Sequence, residues 1–171
     1  MTDNKLNREF QVEKPMEKLV IDITYLYFGN CKLYLSSVMD LCNREIVADT
    51  ISDCQDTDLV LDTVNQLSWS EEILLHSDQG SVYTSKAYYQ VCNKKGIIRS
   101  MSRKGTPADN ACIERFHSVL KTETCYLHNW RHLTKDSVTD IVKNDITFYN
   151  ETRIQQRLND QSPVDYRKLV A

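Results

Sequence analysis

The first apolar run, Leu19 to Tyr27, is rich in β-branched and aromatic residues and carries one charge, Asp22. That pattern predicts a strand. Gly29-Asn30 is a two-residue hairpin turn leading into a second strand over Lys32 to Met39. Cys42-Asn43-Arg44 then turns the chain into a third, Glu45 to Thr50, so the opening reads as an antiparallel meander. From Thr57 to Leu67, Val60, Val64 and Leu67 recur on one face, with acids near the start, and a helix is expected. Ile73 to Leu75 is short and wholly apolar, which suits a parallel strand covered on both faces. Ser85 opens a helix that Gly96 can end, and Ile97-Ile98 is a further short strand. Ser100 to Gly105 reads as a basic loop, anchored only by Met101 and expected to be loosely held. Thr134 caps an amphipathic helix carrying Val138, Ile141, Val142, Ile146 and Tyr149, and Ser162-Pro163 starts a last short one. Residues 1–17 are polar and aperiodic, with Pro15 among them. They are expected to form a linker or arm ahead of one domain over 18–171. The expected class is α/β: a mixed five-stranded sheet, three strands antiparallel then two parallel, flanked by helices.

Between loop and C-terminal helices lies GTPADNACIERFHSVLK, Gly105 to Lys121. Thr106 suits an N-cap, Pro107 the first helical position and Asp109 the acid that answers a capping residue. Cys112, Phe116, Val119 and Leu120 make an apolar stripe, while Asn110, Glu114, Ser118 and Lys121 share another face. A lone Glu on a helix is ordinarily part of a solvated surface. Two further acids change that reading. Asp78 follows the short parallel strand, where ligand sites in such sheets fall, with 35 residues between it and Glu114. Asp22 sits inside the first strand. Three carboxylates on a central strand, a neighbouring strand end and a packed helix can converge as a metal-binding triad. Mg²⁺ takes oxygen ligands, and two such ions in one site assist both oxygens of an in-line displacement.

Composition narrows the field. A chain of 171 residues with ordinary apolar content fits one ordered domain. No apolar run approaches the ~20 residues of a membrane span, and no signal peptide is evident, so a soluble intracellular protein is expected. The six cysteines include no C-x-x-C pair and lie in or beside apolar segments, which reads as free thiols. Cys125, His128 and His132 form a C-x2-H-x3-H cluster without an evident fourth zinc ligand. The net charge of −3 argues against a surface that grips nucleic acid by charge alone. Local gathering of Arg99, Arg103, Lys104, Arg115 and Lys121 around the Glu114 helix leaves such a partner open.

The runs IDITYL, HSDQGSVYTS and SMSRKGTPADNACIERFHSVLKTE, together with YNETR and SPVDY near the end, resemble bacterial insertion-sequence transposases of the OrfB type. These are relatives of retroviral integrases, and the resemblance spans almost the whole chain. It implies a ribonuclease-H-like fold and a DDE catalytic core, with Asp22, Asp78 and Glu114 as catalytic metal ligands. It further implies two Mg²⁺ ions, replaceable by Mn²⁺, in an enzyme that cuts and joins DNA ends. DNA would be the partner of a homo-oligomer in the bacterial cytoplasm. An upstream helix-turn-helix region usual in the family is expected to be missing from this chain. Lys121 matches a lysine that touches DNA in the relatives, and Arg103, Lys104, Asn110 and His117 are further candidate DNA contacts. Leu19, Gln79 and Gln155 depart from the family's usual Trp, basic residue and His. The alternatives are a nuclease of the same fold without strand transfer, or a catalytically silent DNA-binding module.

Overall fold

The strand that carries Asp22 is the middle of the sheet. In the computed structural model, which describes residues 3–68, 72–103, 110–126 and 130–170, β1 (Lys18–Phe28), β2 (Cys31–Asp40), β3 (Ile46–Ser52), β4 (Leu74–Ser77) and β5 (Ile98–Met101) are ordered β3-β2-β1-β4-β5. The first three pair antiparallel, whereas β4 and β5 join parallel, as the apolar and polar patterning predicts. Gly29 makes the β1–β2 turn with φ +54, a left-handed conformation that costs glycine little.

Alternation along β1 divides the interior in two. Val20, Leu26 and Phe28 join one apolar cluster, with Ile113, Phe116 and Leu120 of α3 (Ala111–Leu120) and Val138, Val142 and Ile146 of α4 (Lys135–Glu151). Leu19 and Ile21 point into the other, with Val60 and Val64 of α1 (Thr57–Asn65) and Tyr88 and Cys92 of α2 (Lys86–Lys94). Asp22, two residues from Val20, therefore faces α3. Truncating Ile113 to Ala should cost roughly 2–5 kcal/mol, since it is fully buried in the first cluster. Three caps match their sequence signals or stand next to them: Asp56 on Leu59 N–H, Ser85 on Tyr88 N–H and Thr134 on Ser137 N–H. A last helix, α5 (Pro163–Val170), packs on α4.

Three expectations shift. The segment 3–17 is an arm without strand or helix, yet it packs. Leu6 is fully buried, Lys5 and Leu6 N–H donate to Ser100 Oγ at 2.9 and 3.0 Å, and Met16 N–H donates to Asp40 Oδ2 at 2.7 Å. Of the supposedly loose loop, Ser100 and Met101 are instead the end of β5 and Ser102 is also buried, while Lys104 and Gly105 lie outside the described residues. Charge at Arg103 and Lys104 hid the strand, whose inward residues are small and hydroxylated. In α3 the buried stripe is Ile113, Phe116, His117 and Leu120, with Cys112 and Val119 only half-buried. The helix is rotated relative to the expected stripe, about 100° per residue of offset. The expected cap residues Thr106, Pro107 and Asp109 lie outside the described residues. Past Leu120 the helix continues as a π-helical turn, Lys121–Tyr126, which its sequence does not signal.

Candidate active site

Strand register aligns the first two acids. Val20 pairs with His76 across β1 and β4, and Asp22 and Asp78 each lie two residues beyond that pair. Neighbouring strands run about 4.8 Å apart, so the two carboxylates emerge side by side at the end of β4. On its other flank Asp22 pairs with Ser37 of β2. Glu114 projects from the solvent-facing side of α3, one turn into the helix.

The acids sense one another. Burial raises the Asp78 carboxyl above its ordinary range, the Gly80 N–H partly opposes this at 2.7 Å, and the charge on Asp22 raises it further. Glu114 is raised by burial and then by the charges of Asp22 and Asp78. Like charges that raise a neighbouring carboxyl's proton affinity favour a cation beside them. As they stand, no three His, Cys, Asp or Glu among the described residues converge tightly enough to enclose a metal ion. The donor set is nonetheless all carboxylate oxygen, which fits a hard divalent cation rather than zinc.

Side chains that hold the acids are as telling as the acids. His117 is 3% exposed, with Nε2 2.7 Å from Ser37 Oγ and Nδ1 3.4 Å from Asp22 Oδ2. The tautomer that uses both contacts directs Nδ1–H toward Asp22 while the Ser37 hydroxyl donates to Nε2. His117 thus ties α3 to two strands and orients Asp22. Gly80 matters for its lack of a side chain: a Cβ there would lie 2.9 Å from Asp78 Oδ1 and 3.4 Å from the Tyr83 ring. Tyr83 is buried under this turn, its hydroxyl without a hydrogen-bond partner among the described residues and its phenol raised by burial and then by Asp22. His76 closes the strand end, as its position suggests, with Nδ1 2.8 Å from Ser100 Oγ and Nε2 3.0 Å from Ser102 Oγ.

The residues expected to face DNA scatter. His117 is corrected from a surface contact to a buried clamp, because the rotation of α3 turns it onto the sheet. Asn110 is corrected likewise: at 3% exposure it packs at the N-cap position, where its side chain accepts no cap bond and Oδ1 has no partner among the described residues. Arg103 reaches across to Asn7 Oδ1 at 2.8 Å. Lys104 lies outside the described residues. Lys121 stays near the surface with Nζ 4.8 Å from the centre of the half-exposed Tyr25 ring, a cation–π contact. Gln79 Nε2 donates to Ser102 O at 2.9 Å, so it serves the fold. Ser37, Gly80 and Tyr83 escaped sequence reasoning as site residues. The available signal for Ser37 was two adjacent serines in the middle of a buried strand.

Integrase core domain models match residues 12–107 and 95–163. A putative transposase, InsK of insertion sequence element IS150 from Escherichia coli K12, is 37% identical over 170 residues, covering 96% of this chain and 59% of that protein. An uncharacterized transposase-like protein of Haemophilus influenzae is 39% identical over 171 residues, with 98% of this chain and 78% of that one aligned. A probable transposase for IS1353 of Shigella flexneri is 37% identical, but only 33% of its length is matched. The chain thus spans a third to three-fifths of two of these relatives. Among solved structures, a simian T-cell lymphotropic virus intasome chain superposes with a TM-score of 0.79 at 15% identity, covering 92% of this chain and 56% of that one. The HTLV-2 integrase catalytic core domain in complex with magnesium gives 0.70 at 13%, covering 90% and 97%. At such identity the likeness is one of fold, the ribonuclease-H-like fold of retroviral integrase cores.

Proposed function

We infer, for a chain that belongs to the integrase core domain family, that it is the catalytic domain of a DNA transposase. The reading is metal-dependent cleavage at element ends followed by joining of the freed 3′-hydroxyl to target DNA. The observation that supports it is the strand register that sets Asp22 and Asp78 side by side, with the charges of both raising the Glu114 carboxyl. Two magnesium ions, with manganese as substitute, would supply activation of the attacking oxygen and neutralisation at the leaving oxygen. Asp22, Asp78 and Glu114 would hold them. The remaining work belongs to the protein. His117 and Ser37 keep Asp22 directed at the site, the Gly80 N–H fixes one oxygen of Asp78, and the first turn of α3 presents Glu114. Lys121, and Arg103 with Lys104, are proposed to hold phosphates of the bound DNA. Assembly as a homo-oligomer on DNA in a bacterial cytoplasm completes the reading.

A strand-transfer assay with end-labelled donor DNA and a supercoiled target tests it. Joined products that appear with Mg²⁺ or Mn²⁺ and vanish with EDTA are expected. Metal-dependent cleavage without joining would make the protein a nuclease. Neither reaction under conditions where DNA is bound would leave a silent binding module.

A further inference from the structure

A different face of α3 from the one bearing Glu114 borders a cavity of about 610 Å³. Ala111, Cys112, Arg115 and Val119 supply the helix wall, and Phe10 of the arm, Met39 at the end of β2, Arg44 and the tail around residues 153–157 close it. A second hollow of about 670 Å³ adjoins it, sharing Phe10, Arg44, Cys112 and Arg157. None of the three site carboxylates lines either.

Its charge is one-sided. Arg44 is 4% exposed; its Nη2 reaches the Phe10 carbonyl at 3.4 Å, and Nε and Nη1 have no hydrogen-bond partner among the described residues. A buried guanidinium without an anion is costly, and proteins retain such groups where something answers them. Arg157 and Arg115 stand at the exposed rim, and neither has an acid partner among the described residues. Arg153 on the same wall pairs with Glu123, and Glu9 of the adjoining hollow pairs with Lys18. Burial and the charge of Arg44 both loosen the Arg157 proton, the mirror image of the crowded acids.

We propose that this cavity is a second ligand site, which takes the phosphate of a nucleotide on Arg44 and Arg157 and its apolar body against Phe10 and Ile154. Guanidinium forks match phosphate oxygens two at a time. The volume lies within the range of small-ligand pockets, and the mixed aromatic and cationic wall suits a base or sugar beside a phosphate. The nucleotide is either free or part of a DNA strand, and the chemistry of recognition is the same. The proposal stands apart from the transposase reading, since no residue of the acid triad takes part.

Calorimetric titration of the full chain in EDTA with deoxyadenosine monophosphate tests it, with inorganic phosphate, uncharged deoxyadenosine and a short single-stranded oligonucleotide as parallel arms. One monophosphate per chain is expected, with deoxyadenosine at least about tenfold weaker, since a phosphate on arginines supplies charge-assisted bonds. Arg157→Gln and Arg115→Gln, both at the rim and harmless to the core, should each weaken the monophosphate severalfold. Asp78→Asn should leave it unchanged, so failure here is separable from failure of strand transfer. An oligonucleotide that competes with the monophosphate and is weakened by Arg157→Gln identifies the source as a DNA strand. An oligonucleotide that does not compete identifies a free nucleotide. No saturable binding of monophosphate or phosphate overturns the proposal. So does equal binding of deoxyadenosine, or unchanged affinity in a folded Arg157→Gln protein.

Discussion

One helix separates two crowds of like charge. On one side of α3, the charge of Asp22 raises the Asp78 carboxyl and both raise that of Glu114; on another, Arg44 and Arg157 repel at the wall of a cavity. The acids come from the middle of β1, the end of β4 and the first turn of α3, where ladders and a helix turn hold their spacing. The arginines come from a turn, a helix rim and the irregular tail. Both crowds are unfavourable alone and favourable with a counter-charge, so each marks a place where the protein has stored recognition at the expense of stability. They differ in rigidity. The acid site is tuned for geometry and the basic cavity for charge.

The most drastic way to break the acid side is to neutralise it. Asp22→Asn, Asp78→Asn and Glu114→Gln should each abolish cleavage and joining, exceeding the 10- to 100-fold losses typical when only an outer residue of a metal site is changed. Each variant should keep its fold and gain slightly in metal-free stability, because repulsion is removed. Appreciable Mg²⁺-dependent joining in any one of them would take that residue out of the site.

Gly80→Ala tests geometry without touching charge. Its Cβ would meet Asp78 Oδ1 at 2.9 Å, so the carboxylate must move. Misplacement of a catalytic group by an ångström costs up to about 100-fold in rate. A loss near that size with an unaltered melting curve is expected, and wild-type turnover would show that Asp78 tolerates the shift.

Titration reads the repulsion directly. The carboxyls of Asp78 and Glu114 are raised in the folded state, and burial pushes buried Asp40 up to about 6 from 3.8. A carboxylate with a raised native pKa carries its penalty once ionised, above that pKa, and sheds it as protons bind on the way down to the unfolded value. In EDTA the midpoint of thermal unfolding should therefore rise by a few degrees from about pH 7.5 to about pH 5. Adding Mg²⁺ should raise it more at the higher pH than at the lower. A midpoint that falls steadily over this interval would contradict the assignment of these groups.

The smallest effect concerns Lys121. Lys121→Ala loses a cation–π contact with Tyr25 worth about 0.5–1 kcal/mol at an exposed site. If the lysine holds a phosphate, DNA affinity should also drop for all sequences, and the salt dependence should shrink by about one counterion. An unchanged salt slope would assign it to the surface of the fold alone.

Much of this architecture was legible before any coordinates. Alternation in Leu19 to Tyr27 and the apolar stub before Asp78 locate two acids, because strand periodicity is local. Ser85 and Thr134 mark their helices because a cap acts on the residue three positions on. His117 was not legible as a clamp: its partner Ser37 is 80 residues away, and only the rotation of α3 brings them together. The packing of the arm was not legible, because Leu6, Phe10, Val12 and Met16 stand scattered among polar residues and form no sustained strand or helix pattern. The arginine cavity was dispersed over four segments, none of which has a motif of its own.

The paired register of Asp22 and Asp78 bears on which rearrangements the gene can survive. Both acids hang two rungs beyond the same Val20–His76 step of a hydrogen-bonded ladder. The connecting α1 region can lengthen at its ends without altering their separation, because the ladder and not the connection measures it. Within β1 there is no such latitude. Losing one codon between Val20 and Asp22 would turn the acid toward Leu19 and Ile21's side of the sheet, into apolar packing. Insertion libraries should show dense survival between Gln66 and Ile73 and a sharp void across β1, a map of what the sheet counts and what it ignores.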